Sequence, residues 1–273
     1  MAMFRPVTLI TGASTGIGAA LARVFAAHGH ELVLVARSEH QLSAVADEIG
    51  GTGATRPHVL TADLSRLDGG ARIGHELATR GLEPLYVVNN AGFGLVGAAD
   101  QLDRTEQLAM IDLNVRTLTD FSLRWTESLQ RRQGGILNVA SVAGFLPAPG
   151  MAVYYATKAY VLSFSEALHC ELAPQGVRVT VLCPGPVATN FQLRAGARPD
   201  PAFGLLAQPA EKVARAGYAG LIAGKRLVVP GFANRVVTIL PRLLSRGRIL
   251  AMMGGRRRRR REAGGGPRWP RQR

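Results

Sequence analysis

Three side chains with complementary proton chemistry lie close together in the middle of the chain. Ser141 ends a predicted strand, and Tyr154 and Lys158 follow at positions i and i+4 of a predicted helix, where they share one face. A phenol titrates near pH 10 when it is free. A neighbouring ammonium group stabilises the phenolate and brings its pKa toward the working pH. The spacing therefore predicts general acid–base chemistry, with Tyr154 as the group that gives or takes the proton.

Neighbouring residues have expected roles around this group. Ser141 would hydrogen-bond a substrate oxygen, and Asn114, in a predicted long helix, could hold a water molecule that links Lys158 to solvent. Tyr155 points about 100° away from Tyr154 around the helix, so we expect it to pack. Each residue type is commonplace alone, and the prediction depends on their combination with a nucleotide site.

A glycine-rich turn, Thr11–Gly18, follows the first predicted strand and precedes a helix. Gly12 lets the chain turn sharply, Gly16 leaves room for a pyrophosphate, and Gly18 lets the helix pack close to the sheet. A purely structural turn is the alternative, but the strand–turn–helix context favours a phosphate site at the helix N-terminus. The cofactor contacts expected from this turn are Gly12, Ser14, Thr15, Gly16, Ile17 and Gly18.

The residue after the second strand decides which nicotinamide cofactor fits. An acidic residue there would hydrogen-bond the ribose 2′-hydroxyl of NAD(H), whereas this chain has Ala36 followed by Arg37. A guanidinium pairs with a 2′-phosphate. An ordinary solvated arginine is the alternative reading. We therefore expect NADP(H) as cofactor, with NAD(H) less favoured.

Polar residues also end the third and fourth predicted strands. Asp63 and Leu64 follow the third, and Asn89-Asn90-Ala91-Gly92 ends the fourth. Such positions face the ligand crevice of a parallel sheet. A helix N-cap at Asp63 or Ser65 and local capping by the asparagines fit equally well. The residues assigned to cofactor binding from this set are Asp63, Leu64, Asn90, Ala91 and Gly92.

The whole chain alternates between apolar strands and helix-length amphipathic segments. Strands that are apolar throughout are buried on both faces, which is typical of a parallel sheet covered by helices. The pattern predicts an α/β doubly wound Rossmann fold of about seven strands with helices on both faces. The predicted strands are Val7–Thr11, Glu31–Ala36, His58–Ala62, Leu85–Asn89, Ile136–Ala140, Val177–Leu182 and Leu227–Val229. The predicted helices are Ile17–His28, Glu39–Ile49, Leu67–Thr79, Arg104–Arg131, Val153–Ala173 and Pro209–Ala223.

Charge and composition divide the chain near its end. We expect one domain over residues 1–254, in which 232–253 form a helical extension that Pro241 breaks or kinks. Residues 255–273 contain nine arginines and one glutamate, so they carry +8 of the formal net charge of +14. Because this Arg-rich tail of Gly, Arg and Pro cannot bury enough apolar area to offset the entropy of ordering, it is predicted to be disordered.

These motifs, from Val7 to Val229, resemble those of the short-chain dehydrogenase/reductase family. The matching pieces are the turn at Thr11–Gly18, Asn-Asn-Ala-Gly at Asn89–Gly92, Asn114, Ser141, Tyr-x-x-x-Lys at Tyr154–Lys158, and Pro184-Gly185. The resemblance implies a seven-stranded Rossmann sheet and a Tyr-Lys-Ser-Asn tetrad. It also implies that Pro184, Gly185, Val187, Thr189, Tyr154 and Lys158 face the cofactor. Homodimers or homotetramers through the fourth and fifth helices are expected as well.

Apolar residues expected around the substrate are Phe93, Phe145, Leu146, Met151, Phe191 and Leu193. They predict a small apolar ketone, aldehyde or alcohol, although the same side chains could simply pack the loops. The chemistry expected is NADP(H)-dependent interconversion of a carbonyl and an alcohol. A non-catalytic NADP(H)-binding regulator is the alternative, because fold does not fix function.

Several other expectations concern location and partners. Cys170 and Cys183 are expected to be buried reduced thiols, and no spacing predicts a metal site. The sequence has no signal-peptide pattern and no apolar run long enough to span a bilayer, so a cytoplasmic protein is expected. No specific nucleic-acid partner is predicted. The basic C-terminus leaves open a weak contact with anionic membranes, as in a peripheral membrane reductase, against the alternative of a solvated tail.

Overall fold

A computed structural model describes residues 4–187, 195 and 206–262 of the 273-residue chain. Its centre is a seven-stranded, entirely parallel sheet in the order β3-β2-β1-β4-β5-β6-β7, which confirms the predicted Rossmann fold. The strands are β1 Arg5–Thr11, β2 Leu32–Ala36, β3 His58–Thr61, β4 Leu82–Asn89, β5 Gly135–Val139, β6 Arg178–Leu182 and β7 Leu227–Val228.

Helices connect consecutive strands and cover both faces of the sheet. They are α1 Gly16–Ala27, α2 Glu39–Gly51, α3 Gly69–Thr79, α4 Arg104–Ile111, α5 Leu118–Arg124, α6 Thr126–Arg132, α7 Ala152–Leu172, α8 Ala210–Ile222, α9 Phe232–Leu243 and α10 Arg246–Glu262. A π-helical segment at Asp112–Thr117 joins α4 to α5, and 3-10 turns occur at Val142–Phe145 and Ala173–Gln175.

The sheet order reverses at β1, and this places the ligand crevice. β1 pairs with β2 on one side, where Ile10 lies beside Leu34, and with β4 on the other, where Ile10 lies beside Val88. Chains that leave β1 and β4 at their carboxyl ends therefore diverge to opposite faces of the sheet. Ligands of open parallel sheets bind in the crevice that opens at such a switch point.

Two apolar cores hold the helices against the sheet. Helices α1, α2 and α8 pack on one face, around side chains such as Phe25 and Leu42. Helices α3, α5, α6 and α7 pack on the other, around Phe121 and Leu129. Burial of both faces is the physical reason why the strands are apolar throughout rather than alternating.

The helix predicted over Arg104–Arg131 is wrong as one continuous element. It divides into α4, the π-helical segment, α5 and α6, with a break at Trp125, whose φ of −117° and ψ of 22° leave the helical region. The extra residue of a π turn shifts the side chains that follow it. Asn114, inside this segment, is held by hydrogen bonds to neighbouring elements, which local helical periodicity does not reveal.

The C-terminal segment also differs from expectation. Pro241 lies in the last turn of α9, which ends at Leu243, so the break falls slightly later than the proline. Helix α10 then runs to Glu262, into the segment predicted to be disordered. Arginine has a high intrinsic helix propensity, and the run Arg256–Arg261 contains no glycine or proline. Residues 263–273 lie outside the described part of the chain.

Two further observations concern the cysteines and the membrane. Cys183 is buried as expected, but the expectation was wrong for Cys170, which is exposed on the outer face of α7. Neither forms a disulfide. Within the described ranges, no helix combines the length and the apolar character needed to cross a bilayer.

Candidate active site

The glycine-rich turn is fixed against the end of β4. Gly12 has a φ of +65°, in the left-handed region that glycine favours. A Cβ at Gly18 would lie 2.2 Å from the Gly12 carbonyl oxygen, so α1 can start this close to the turn only with glycine there. The Asn90 side-chain amide donates hydrogen bonds to the backbone oxygens of Thr11 (2.9 Å) and Gly12 (3.1 Å). Turn and strand end therefore form one rigid cradle.

The start of α1 offers hydrogen-bond donors to a ligand. Thr15 precedes the helix in an extended conformation and makes no side-chain capping bond. The first N–H groups of the helix, on Gly16 and Ile17, have no intrahelical acceptor. Ser14, Gly16 and Ile17 are half-buried and Thr15 is exposed, so this end of the helix is open. Free donors, the positive end of the helix dipole and a bare Gly16 fit a dinucleotide pyrophosphate.

Arg37 and Asp63 come from neighbouring strands and influence each other electrostatically. Arg37 follows β2 and is exposed, and Asp63 follows β3. Partial burial raises the pKa of the Asp63 carboxyl. Hydrogen bonds from Ser65, together with the charges of Arg37 and Arg66, outweigh that effect and hold the pKa below its ordinary value. The Asp63 carboxylate is thus ionised beside an exposed guanidinium, while the adjacent Leu64 is buried.

The Asn-Asn-Ala-Gly segment joins the cradle to the acid–base group. Thr11 Oγ1 accepts hydrogen bonds from the backbone N–H groups of Asn90 and Ala91, each at 3.0 Å. A Cβ at Gly92 would lie 2.9 Å from Asn114 Oδ1 and 3.6 Å from Lys158 Nζ. Gly92 is therefore the point where the end of β4 meets the residues predicted to be catalytic.

Asn114 is fully buried and links three elements. Its Oδ1 accepts a hydrogen bond from the Phe93 N–H (3.1 Å), and its Nδ2 donates to the Phe93 carbonyl (2.9 Å) and to Thr157 Oγ1 (3.1 Å). Both amide hydrogens are used in this way. Asn114 thus holds the π-helical segment, the loop after β4 and α7 together, and its role in holding a water molecule stays a prediction.

Tyr154 and Ser141 are in direct contact. Tyr154 is buried on α7, and the Ser141 side chain forms a hydrogen bond with it. Burial raises the pKa of the Tyr154 phenol above its ordinary value, while the hydrogen bond with Ser141 acts in the opposite direction. Ser141 Oγ also accepts from the Ala143 N–H (3.1 Å), which fixes it at the start of the 3-10 turn. The phenol is therefore protonated and firmly positioned.

Lys158 is a buried cation beside this tyrosine. Its Nζ lies 5.9 Å from the centroid of the Tyr154 ring and donates a 2.8 Å hydrogen bond to the Val139 carbonyl oxygen. Burial lowers the pKa of Lys158 to about 8. Near neutral pH the ammonium form prevails, so a positive charge is held where a phenolate would form.

The Pro184-Gly185 turn leaves β6 on the same side of the sheet. The Pro184 carbonyl accepts a hydrogen bond from the Val142 N–H (3.0 Å), and Val187 forms a short parallel bridge with Gln208. A Cβ at Gly185 would lie 2.2 Å from Asn234 Oδ1, so α9 packs directly on this turn. Thr189, Phe191 and Leu193 lie outside the described residues.

Apolar side chains surround Tyr154. Phe93, Met110 and Ala143 are buried with it, and Met151 packs against them. Of the residues predicted around the substrate, Phe93 and Met151 are therefore beside Tyr154. Phe145 instead packs in a separate cluster with residues of α7 and β6. Leu146 is half-buried at the end of the 3-10 turn.

Sequence reasoning missed several residues that support the site. Thr157 accepts from Asn114 and donates to the Tyr154 carbonyl (2.7 Å). Asn138 accepts a 2.8 Å hydrogen bond from Asn89 and donates one of 2.9 Å to Ser165 on α7. An asparagine inside the otherwise apolar strand Gly135–Val139 was a usable signal, because buried polar side chains are almost always hydrogen-bonded.

Comparison with known sequences identifies the family. A family model described as short chain dehydrogenase matches residues 6–199. Sulfoacetaldehyde reductase 2 of Chromohalobacter salexigens is 36% identical over 190 residues, which cover 68% of this chain and 75% of that protein. 17-beta-hydroxysteroid dehydrogenase type 3 of Rattus norvegicus is 36% identical over 186 residues, covering 66% of this chain and 60% of that one.

Solved structures agree with the sequence matches. A short-chain dehydrogenase from Sphingobium yanoikuyae in complex with NADPH has a TM-score of 0.75 and 29% identity, and the match covers 98% of this chain and 99% of that one. A 7beta-hydroxysteroid dehydrogenase has a TM-score of 0.82 and 27% identity, covering 92% and 98%. The chain belongs to the short-chain dehydrogenase/reductase family of oxidoreductases.

Proposed function

We propose that this protein is an NADP(H)-dependent oxidoreductase that interconverts a carbonyl and an alcohol, with Tyr154 as general acid and base. The observation that carries the proposal is the group formed by the buried Tyr154 and Lys158 with the half-buried Ser141. A protonated phenol, a hydrogen-bonding hydroxyl and an ammonium are held together within an otherwise apolar cluster. A buried lysine costs stability because burial disfavours its charge, and such a perturbed group in a ligand crevice is typical of functional sites.

The residues divide the reaction between them. When bound, the nicotinamide supplies a hydride to the carbonyl carbon in reduction, or accepts one from the alcohol carbon in oxidation. Ser141 holds the substrate oxygen by a hydrogen bond, and Tyr154 donates its phenolic proton to that oxygen as negative charge develops. The Lys158 ammonium stabilises the phenolate that remains, and the phenolate regains its proton from solvent. In oxidation the same proton moves the other way.

NADP(H) is the preferred cofactor in this proposal. The exposed Arg37 guanidinium lies at the end of β2, where a 2′-phosphate would extend from the adenosine ribose. The Sphingobium yanoikuyae relative, which this chain matches along nearly all its length, binds NADPH. NAD(H) remains the less favoured alternative.

The proposed substrate is a small apolar carbonyl compound or alcohol. Support comes from the cluster of Phe93, Met110 and Met151 around Tyr154, in which Lys158 is the neighbouring cation. The names of the relatives indicate two different classes of substrate. Sulfoacetaldehyde is a small anion, whereas the hydroxysteroid dehydrogenases act on apolar molecules. The apolar cluster around Tyr154 favours an apolar substrate over an anionic one.

We also propose assembly into a homodimer or homotetramer through the fourth and fifth helices of the sequence prediction, which are α4 to α6 and α7 in the structure. Leu108, Ile111 and Leu123 are large apolar side chains exposed on these helices, and Tyr160 of α7 is exposed as well. Exposed apolar patches of this kind mark protein interfaces. Light scattering of the purified protein measures the mass that tests this assignment.

A binding titration followed by a substrate screen tests the proposed function. The purified protein is titrated with NADPH and NADH while nicotinamide fluorescence is followed, and NADPH oxidation is then measured with apolar ketones, apolar aldehydes and sulfoacetaldehyde. We expect tighter binding of NADPH and faster turnover of apolar carbonyls. Faster turnover of sulfoacetaldehyde would overturn the substrate class. NADPH binding without turnover of any carbonyl would favour the non-catalytic regulator instead.

A further inference from the structure

Helix α9 has its polar and apolar faces reversed relative to an ordinary surface helix. Asn234 and Thr238 face the protein and are buried, and Asn234 is only 1% exposed. Phe232 and Leu243 face outward and are 82% and 76% exposed. A surface helix normally buries its apolar side. The reversed orientation leaves an apolar face that the described part of this chain does not cover.

The exposed residues form a continuous line along the helix. Phe232, Val236, Ile239 and Leu243 stand at i, i+4, i+7 and i+11, which places them on one side of α9. We name these four residues the apolar stripe. The next helix also carries exposed apolar side chains, because Leu250 and Met252 are exposed on α10, whereas Ile249 is buried.

The helix is held firmly in this orientation. Asn234 Nδ2 donates hydrogen bonds to the carbonyl oxygens of Leu206 (3.2 Å) and Pro230 (2.9 Å), and Arg235 Nε donates to Val229 (3.1 Å). Because these polar contacts fix the inner face, α9 cannot rotate to bury the apolar stripe without losing them. The exposure of the stripe is therefore built into the fold.

The charge of the same segment identifies what covers the stripe. Residues 232–262 contain ten arginines and one acidic residue, Glu262. We infer that α9 and α10 dock on the surface of an anionic lipid bilayer, with the apolar stripe inserted among the acyl chains and the arginines drawn to the headgroups. This surface is independent of the oxidoreductase activity proposed above. The helices lie on the membrane, since none of the described helices is able to cross one.

Two other occupants fit these observations less well. A second copy of the chain would bring two strongly basic segments together across the stripe, and their repulsion opposes pairing. A nucleic acid would satisfy the arginines, but phosphate and base contacts have no use for four exposed apolar side chains. Of these three occupants, only an anionic bilayer matches the apolar and the basic features together.

Vesicle binding of the full-length protein tests the inference. Flotation is measured with phosphatidylcholine vesicles and with vesicles in which about one third of the lipid is phosphatidylglycerol, at about 0.1 M salt. We expect binding to the anionic vesicles and little to the neutral ones. The double variant Phe232→Gln/Leu243→Gln should weaken this binding by about 10-fold or more, because two large apolar side chains no longer enter the bilayer. Leu67→Gln is the matched control, since Leu67 is 82% exposed elsewhere on the surface.

The possible outcomes separate the occupants. Loss of vesicle binding in the stripe variant, with Leu67→Gln like the wild type, supports the inference. No binding of the wild-type protein to anionic vesicles overturns it. Binding that the stripe variant retains in full also overturns it, because the arginines alone would then bind any polyanion. A fall in oligomer mass caused by the stripe variant would assign the stripe to a second copy. Unchanged thermal unfolding of both variants verifies that they fold.

Discussion

The strand ends around Tyr154 and the C-terminal segment from Phe232 to Glu262 both depart from the rule that apolar residues lie inside and polar residues outside. They do so in opposite directions. Around Tyr154 the protein buries an ammonium and an asparagine, Lys158 and Asn114, whereas the C-terminal segment exposes Phe232 and Leu243. Each arrangement is less stable than the ordinary one.

The difference indicates what each region contacts. Buried polar groups that are fully hydrogen-bonded, such as Asn114, form a preorganised site for a small ligand, because the groups do not reorganise when the ligand enters. An exposed apolar face on a rigidly attached helix suits an extended partner instead. In our proposals one region performs the chemistry and the other attaches the protein to a surface, so substitutions should affect the two independently.

The largest expected effect on stability concerns the buried charge of Lys158. Its pKa is about 8 in the folded protein against an ordinary value of 10.5, so the unfolded chain binds more protons between these two values. The free energy of unfolding should therefore rise by about 3 kcal/mol from this group as the pH increases from about 8 to about 10.5. Below pH 8 both states are protonated and the folded protein bears the full cost of the buried charge. Lys158→Met should then be inactive but as stable as the wild type or more so near pH 7.

Urea unfolding of both proteins at about pH 7 and about pH 10 measures this effect. The stability of Lys158→Met relative to the wild type should fall by about 2.5 kcal/mol between the two pH values, because only the wild type gains from losing the proton. Phe232→Gln/Leu243→Gln is the control and should follow the wild type at both pH values, since its substitutions are exposed. A difference that does not change with pH would show that Lys158 is not a buried cation.

A smaller effect is expected from Arg37, which is exposed and contributes little to folding. Arg37→Asp should lower the preference for NADPH over NADH by about 100-fold, because a charge-assisted pair with the 2′-phosphate is replaced by repulsion. Dissociation constants for both cofactors, measured by fluorescence, test this. Arg72→Asp, an exposed arginine on α3, serves as control and should leave the preference unchanged. If Arg37→Asp also leaves it unchanged, the assignment of Arg37 is wrong.

The fold and the position of the site could be predicted because they depend on local patterns. Uninterrupted apolar strands separated by amphipathic helices specify a covered parallel sheet, and the carboxyl ends of its strands bring Gly12, Asn90 and Ser141 to one edge. The helical spacing of Tyr154 and Lys158 places both on one face without further information.

Other features depend on contacts between distant segments. The hydrogen bonds of Asn114 to Phe93 and Thr157, and of Asn89 to Asn138, join residues far apart in sequence, so no local pattern contains them. The orientation of α9 is another case. Its amphipathic pattern shows that two faces differ, but only the contacts of Asn234 decide that the polar face is turned inward.

The most direct test of the central claim compares wild-type protein with Tyr154→Phe. NADPH affinity is measured by fluorescence titration, and the rate of NADPH oxidation is measured with the best apolar carbonyl from the screen. We predict that the variant retains NADPH affinity within about tenfold and loses turnover by a factor of about 1,000, because the phenolic proton is missing while the cradle is intact. Turnover within a fewfold of the wild type would contradict the assignment of Tyr154 as the acid–base group.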